Sequence, residues 1–296
     1  MIGLRLAAAL LCGNIADCAL AQPAAARAPA QPSPAQGEAI EIGRSFKLTS
    51  AALGEERVIN VHLPPGYESG DKRHPVLFLI DGGVDQDFPH IVGTAQLGAL
   101  WGRSKAAIVV GVATKDRRRE LVGPTRDPDL LKRYPTAGQS AAFRRFIRSE
   151  VMPLVKARYR TDGTTAVLGE SLAGLFIVET FLREPDLFDH YGAISPSLWW
   201  DKERLSLEAA GLVSPRHADK RIYVATANEG ADMQVGVDRL IGSLSNVRGL
   251  CYIPRGNLTH ATIYHTVSPQ ALQFLFPPAT PADPQWGFDL PCSPRS

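Results

Sequence analysis

The residues Gly169-Glu170-Ser171-Leu172-Ala173-Gly174 follow the apolar pair Val167-Leu168 and precede a helical pattern. A serine carried on so sharp a strand-to-helix turn is the arrangement of a nucleophile elbow, in which a hydroxyl attacks an acyl carbon. Such a turn brings strand and helix together. Side chains there must be small, and Gly169, Ala173 and Gly174 supply that clearance. The helix start places the backbone N–H of Leu172 and a positive dipole end beside the hydroxyl, both suited to a developing oxyanion. The plainer reading of Ser171 is a helix N-cap.

A serine hydroxyl is a poor nucleophile at neutral pH and needs a base, normally a histidine held by an acid. Of seven histidines, His62, His74 and His190 lie in or beside strand-like runs and read as packing or surface residues, and His217 falls in a polar loop. His260 follows the last strand-like run and precedes a terminal helix, the chain position of a hydrolase base. It is favoured over His265. The orienting acid is expected between serine and histidine, after a strand. Glu229 fits best, Asp232 is close behind, and Asp201 is a third choice that also suits a helix cap. A second oxyanion donor is expected in the loop Ile80-Asp81-Gly82-Gly83, where glycines let the backbone approach a substrate. Gly83 is the first choice and Gly82 the alternative.

The elements that must position these groups are legible as hydrophobic patterns. Two β-like runs near residues 41–48 and 57–63 flank Gly54-Glu55-Glu56 and suggest an antiparallel hairpin, closed by Pro64-Pro65-Gly66-Tyr67. Residues 76–80 and 107–112 are nearly continuous apolar runs, as expected for strands buried on both faces of a parallel sheet. Residues 141–159 carry an apolar helical stripe. Further strands are expected at residues 191–194, 222–226 and 250–253, with a last helix over residues 269–276. This alternation predicts an α/β sandwich: a mostly parallel central sheet with an N-terminal antiparallel hairpin, helices on both faces, and chemistry at the carboxyl ends of the strands.

With 296 residues, 45% of them hydrophobic and 21% charged, the chain suffices for one large domain and is not disordered. A net charge of +2 with acids and bases interspersed provides no footprint for nucleic acid. Arg117-Arg118-Arg119 is the exception, read either as a solvated loop or as a collar for an anionic substrate, with Arg119 as the candidate contact. Residues 1–21 read as a secretory signal peptide ending in Ala19-Leu20-Ala21. Asn14 and Asp17 interrupt the apolar run short of the roughly 20 residues that span a bilayer, so no stable membrane anchor is expected. Residues 22–37 form an Ala/Pro-rich linker and residues 38–296 a single domain. Signal removal leaves Cys251 and Cys292, free or paired in an oxidising compartment.

These motifs, with Leu63-Pro64-Pro65-Gly66-Tyr67 and Ser195-Pro196-Ser197-Leu198-Trp199-Trp200-Asp201, resemble the putative-esterase family of α/β hydrolases, most closely its periplasmic ferric-siderophore (trilactone) esterases. The resemblance covers nearly all of residues 41–276. It departs at Ala173, where glycine is usual, and at Glu170, where many relatives have histidine. It implies an α/β-hydrolase fold and a periplasmic or secreted serine esterase that uses Ser171 and His260, with no metal or organic cofactor. It also implies a small-molecule ester substrate such as a ferric siderophore, bordered by Trp199 and Trp200; the structural alternative for these indoles is a buried anchor. The other functional readings are an acyl-sugar or feruloyl esterase, an acyltransferase, and a binding protein on the same scaffold.

Overall fold

The computed structural model describes residues 37–292, apart from the side chain of Asp232. The expected signal peptide and residues 22–36 of the linker lie outside the described residues. Among the described residues, eight strands form one sheet: β1 Arg44–Ser50, β2 Glu55–His62, β3 His74–Ile80, β4 Ile108–Val112, β5 Thr161–Glu170, β6 His190–Ile194, β7 Arg221–Ala227 and β8 Gly249–Arg255. Their order is β1-β2-β4-β3-β5-β6-β7-β8. The β1-β2 and β2-β4 pairs are antiparallel and the remaining pairs parallel. The helices are α1 Phe88–Leu100, α2 Arg117–Glu120, α3 Pro128–Arg133, α4 Ser140–Phe146, α5 Met152–Arg158, α6 Leu172–Arg183, α7 Trp200–Leu212, α8 Ala231–Ser243 and α9 His260–Leu275.

Successive strand residues point to opposite faces, and here both faces are apolar. Along β3, Val76, Phe78 and Ile80 enter one core while Leu77 and Leu79 enter the other; β7 divides Ile222 and Val224 from Tyr223 and Ala225 in the same way. The first core packs beneath α6 and the α4–α5 segment, the second beneath α1 and α9. β3 lies between β4 and β5, so the chain leaves it in one direction and later returns on its other side. That switch opens a crevice at the carboxyl ends of β3 and β5.

Two expectations about helices are revised. The stripe over residues 141–159 is interrupted, with α4 and α5 joined by a π-helical turn, Ile147–Val151. Pro153 lacks the N–H that a regular ladder requires, and the wider turn accommodates it. The last helix starts at His260, well before residue 269, and Pro269 lies inside it. Its start is set by Thr259 and Thr262, the Thr259 N–H donating to Thr262 Oγ1 at 3.1 Å. Cys251 and Cys292 are paired, with Cα atoms 5.4 Å apart, which ties the C-terminal tail to β8.

Arg57 on β2 is fully buried. Its guanidinium donates to both oxygens of Glu120 at 2.8 Å, to Glu55 at 2.7 Å and to the Ala113 carbonyl at 2.7 Å, and lies over the rings of Phe143 and Phe146. A buried cation stripped of its partner is far costlier than the intact pair. Glu120→Ala is therefore expected to cost about 3–5 kcal/mol of stability, read as a lower denaturation midpoint in urea.

Candidate active site

The carboxyl ends of the parallel strands carry the candidate residues. Ser171 directly follows β5, and its φ of 62° and ψ of −120° lie outside the usual regions for a non-glycine residue; such a conformation costs roughly 1–3 kcal/mol and persists only where the surroundings enforce it. They do so here. Ser171 N–H donates to the Ile194 carbonyl at 3.0 Å, and the Ser171 carbonyl accepts from Ser197 N–H at 3.0 Å. A Cβ added at Gly169 would stand 2.7 Å from the Ala173 side chain, and one at Gly174 would stand 2.8 Å from the Ile194 carbonyl. The small residues around the serine are thus a condition of the turn.

The loop after β7 carries Glu229 and the start of α9 carries His260. Asn228 N–H donates to the Leu258 carbonyl at 2.9 Å, tying the two loops together. Glu229 Oε1 lies 3.1 Å from His260 Nδ1 and also accepts from the Ser195 hydroxyl. Ser171, Leu172, Ser197, Trp199, Glu229 and His260 all line one cleft of about 280 Å³, with Arg117 and Arg118 on its wall. Ser171 Oγ is 3.3 Å from Ser197 Oγ, and among the described residues no hydrogen bond joins Ser171 to His260. Leu172 occupies the first position of α6, where the N–H has no intrahelical partner.

The other candidates lie elsewhere. Gly83 is not in the cleft wall, because its N–H donates to Gln86 Oε1 at 2.9 Å. Gly82 N–H donates to the Val112 carbonyl, and a Cβ at Gly82 would overlap the Gly111 backbone. Arg119 is drawn away from the cleft to Glu55 and Glu120, each at 2.6 Å. On a helix successive residues turn by about 100°, so three consecutive arginines cannot face one ligand; Arg117 and Arg118 take the cleft side. Trp200 is 5% exposed and packs against Tyr134, whereas Trp199 is 47% exposed. Trp200 is therefore an anchor for the loop. Asp201 is engaged by Thr125 and Arg204, His265 stacks on His90, and His217 is buried with Nε2 at 2.9 Å from the Phe181 carbonyl. The side chain of Asp232 lies outside what the structure describes.

Three residues of the site, Ser195, Ser197 and Glu170, went unassigned in the sequence, and the arginine collar falls on Arg117 and Arg118 rather than on Arg119. Ser195 and Ser197 sit on the Ser-Pro-Ser turn at the end of β6, and the adjacency of β5 and β6 in a parallel sheet was the available signal. Arg117 donates through Nε to Asp81 at 2.9 Å, and Glu170 places a buried carboxylate oxygen without a hydrogen-bond partner beside the elbow. Burial pushes the Glu170 carboxyl up to about 7; Asp87 and Glu229 add to this, while His260 and Arg117 oppose it. Burial pushes Asp87 up to about 6, with Asp81 adding to the effect. The hydrogen bond to Glu229 holds the His260 imidazole above its usual range against the effect of burial, and Glu170 acts in the same direction as Glu229.

Residues 50–237 match the sequence family described as "Putative esterase". The chain is 29% identical over 149 residues to the ferri-bacillibactin esterase BesA of Bacillus subtilis, covering 44% of this chain and 50% of that protein. It is 27% identical over 180 residues to a siderophore triacetylfusarinine C esterase of Aspergillus fumigatus, covering 55% and 59%. The matches thus span about half the length of these relatives. Among solved structures, the BES protein from Bacillus cereus superposes with a TM-score of 0.69 at 23% identity, over 81% of this chain and 98% of that one. An IroE-like serine hydrolase from Shewanella oneidensis superposes with a TM-score of 0.68 at 24% identity, over 79% and 80%. At these identities the structural likeness is one of fold. The matched family, spanning the strands and helices that build the elbow, and the eight-stranded sheet together establish that the chain belongs to the putative-esterase family on an α/β-hydrolase fold.

Proposed function

We propose that this esterase is an exported serine hydrolase that cleaves carboxylic esters, siderophore trilactones among them, through an acyl-Ser171 intermediate. The observation that carries the reading is the meeting of Ser171, His260 and Glu229 on one cleft. In this mechanism Ser171 Oγ attacks the ester carbonyl carbon as His260 Nε2 takes its proton. Glu229 holds Nδ1–H, so that Nε2 is free to accept. The tetrahedral oxyanion lies against the Leu172 N–H at the start of α6. Collapse breaks the carbon–alkoxy bond, and His260 returns the proton to the leaving alcohol. Water then repeats the sequence on the acyl-enzyme and releases the acid.

Arg117 and Arg118 give the cleft a cationic wall, suited to the anionic groups of a ferric catecholate, and the half-exposed Trp199 offers a ring face to an aromatic group. The siderophore esterases among the relatives support that substrate class. Export is supported by the signal-like residues 1–21 and by the Cys251–Cys292 pair, since such bonds persist in oxidising compartments. Among the described residues no helix is long and apolar enough to cross a membrane.

A fluorophosphonate probe is expected to label the protein and to leave Ser171→Ala unlabelled; labelling that persists in that variant would remove Ser171 as nucleophile. Ser171→Ala and His260→Ala are each expected to lose nearly all activity, by about a millionfold as for groups that act as a unit. In a panel of aryl esters, feruloyl sugars and ferric trilactones, the trilactones should give the highest kcat/KM. Arg118→Ala should raise KM for the anionic substrate alone. Highest kcat/KM for the feruloyl sugars would move the assignment to the acyl-sugar reading.

His260 must be neutral to accept a proton, so activity rises as pH passes upward through its pKa. Because Glu229 favours the imidazolium, the acid limb of kcat/KM is expected above the usual imidazole value of about 6.5. Glu229→Gln should move the limb down and lower the rate. Glu170→Gln should also move it down, by removing a negative charge that faces the imidazole once Glu170 ionises. A limb unchanged in both variants would refute this electrostatic account.

A further inference from the structure

A second cavity, of about 630 Å³, lies away from Ser171, between α1, α9 and the C-terminal tail. Its volume is within the range of small-molecule sites. Trp101 and Trp286 form part of its wall with ring centroids 5.2 Å apart, and each indole is about half exposed, at 50% and 49%. Single exposed apolar residues need no explanation, but two half-exposed indoles packed at 57° to each other on the wall of a concavity do. Gly93, in the interior of α1, also lines it. Glycine there costs about 1 kcal/mol of helix stability relative to alanine, yet a Cβ at Gly93 would meet nothing within 4 Å. The space above it is the cavity itself.

The wall contains one cation, Arg103. Its Nε donates to Gln273 Oε1 at 3.0 Å, and its guanidinium lies over the Phe288 ring at 5.1 Å. Among the described residues no acidic side chain pairs with it. Burial lowers its pKa, as expected of a partly desolvated guanidinium without a counter-charge. The tail is fixed in place: Gln273 Nε2 donates to the Phe288 carbonyl at 2.8 Å, and Cys292 is bonded to Cys251. Aromatic walls with one uncompensated guanidinium are complementary to a flat apolar body bearing a single negative charge.

We propose that this cavity binds an aryl carboxylate, its ring against Trp101 and Trp286 and its carboxylate at Arg103. The acid released from a feruloyl ester, the alternative substrate class above, has this chemistry; that link alone rests on the esterase reading, whereas the binding site stands without it.

The test is titration of 2-naphthoate and of the neutral 2-naphthamide into the full chain with its disulfide intact, read by calorimetry and tryptophan fluorescence. Naphthoate should bind at a single saturable site and more tightly than naphthamide. Arg103→Gln should weaken naphthoate about tenfold, the loss of one charge-assisted contact, and leave naphthamide unchanged. Gly93→Leu grows into the cavity from a Cβ position with no neighbour within 4 Å and should abolish both, while the better helix former keeps the melting temperature at or above that of the parent. Trp199→Ala, in the other cleft, should change neither. The proposal is overturned by absence of saturable binding at millimolar ligand, by folded Arg103→Gln and Gly93→Leu proteins that bind naphthoate as the parent does, or by loss of binding in Trp199→Ala. None of these readouts depends on Ser171 reactivity, so failure here is distinct from failure of the esterase reading.

Discussion

The candidate site depends on backbone held where side-chain-bearing residues seldom go. Asp81, Ser171 and Ser195, at the ends of β3, β5 and β6, all have positive φ. Each turn sends the chain sharply off the sheet edge and leaves a polar side chain above it. No local propensity stabilises three such turns. Parallel strand pairing does: the ladder brings Glu170 opposite Ile194, and the hydrogen bonds from Ser171 to Ile194 and from Ser197 to Ser171 lock the two turns together. The two apolar cores on either side of the sheet supply the cohesion that offsets the strain.

The same edge concentrates charge. Asp81, Asp87, Glu170 and Glu229 converge on a region with His260 and Arg117 as the opposing cations. Burial raises Glu170 and Asp87, so part of this negative charge is neutralised by protons rather than by bases. The imidazole is thereby placed between an acid that accepts its Nδ1–H and a second carboxyl whose charge depends on pH. Glu170 directly precedes Ser171 in the elbow, so its influence on His260 is built into the turn that carries the serine.

Arg57 and Glu120 illustrate how scaffold and cleft share one short helix. The Asp116 carboxylate accepts from the Arg118 and Arg119 amides at 3.1 Å and starts α2. From that turn Arg119 and Glu120 enter the buried ion network around Arg57, while Arg117 and Arg118 reach the cleft. Support of the sheet and the cationic wall are thus set by the same four residues.

Much of this was legible in the chain. Unbroken apolar runs at β3 and β4 dictate strands buried on both faces, and the small residues around Ser171 dictate a close strand-to-helix crossing, because both follow from local sterics and hydrophobic period. The hairpin, the mostly parallel sheet and the grouping of Ser171, His260 and Glu229 follow from chain order at the carboxyl ends of strands. Residues whose surroundings come from distant segments were not legible in this way. Whether Arg119 met substrate or Glu55, whether Trp200 was a platform or an anchor, and whether Gly83 kept its amide free were decided by side chains many residues away. The same holds for the pairing of Cys251 with Cys292 and for the cavity above Gly93. Sequence determined the elements and the order in which they reach one edge, since those depend on neighbours along the chain. Tertiary structure alone decided partners, burial and charge state, since those depend on neighbours in space.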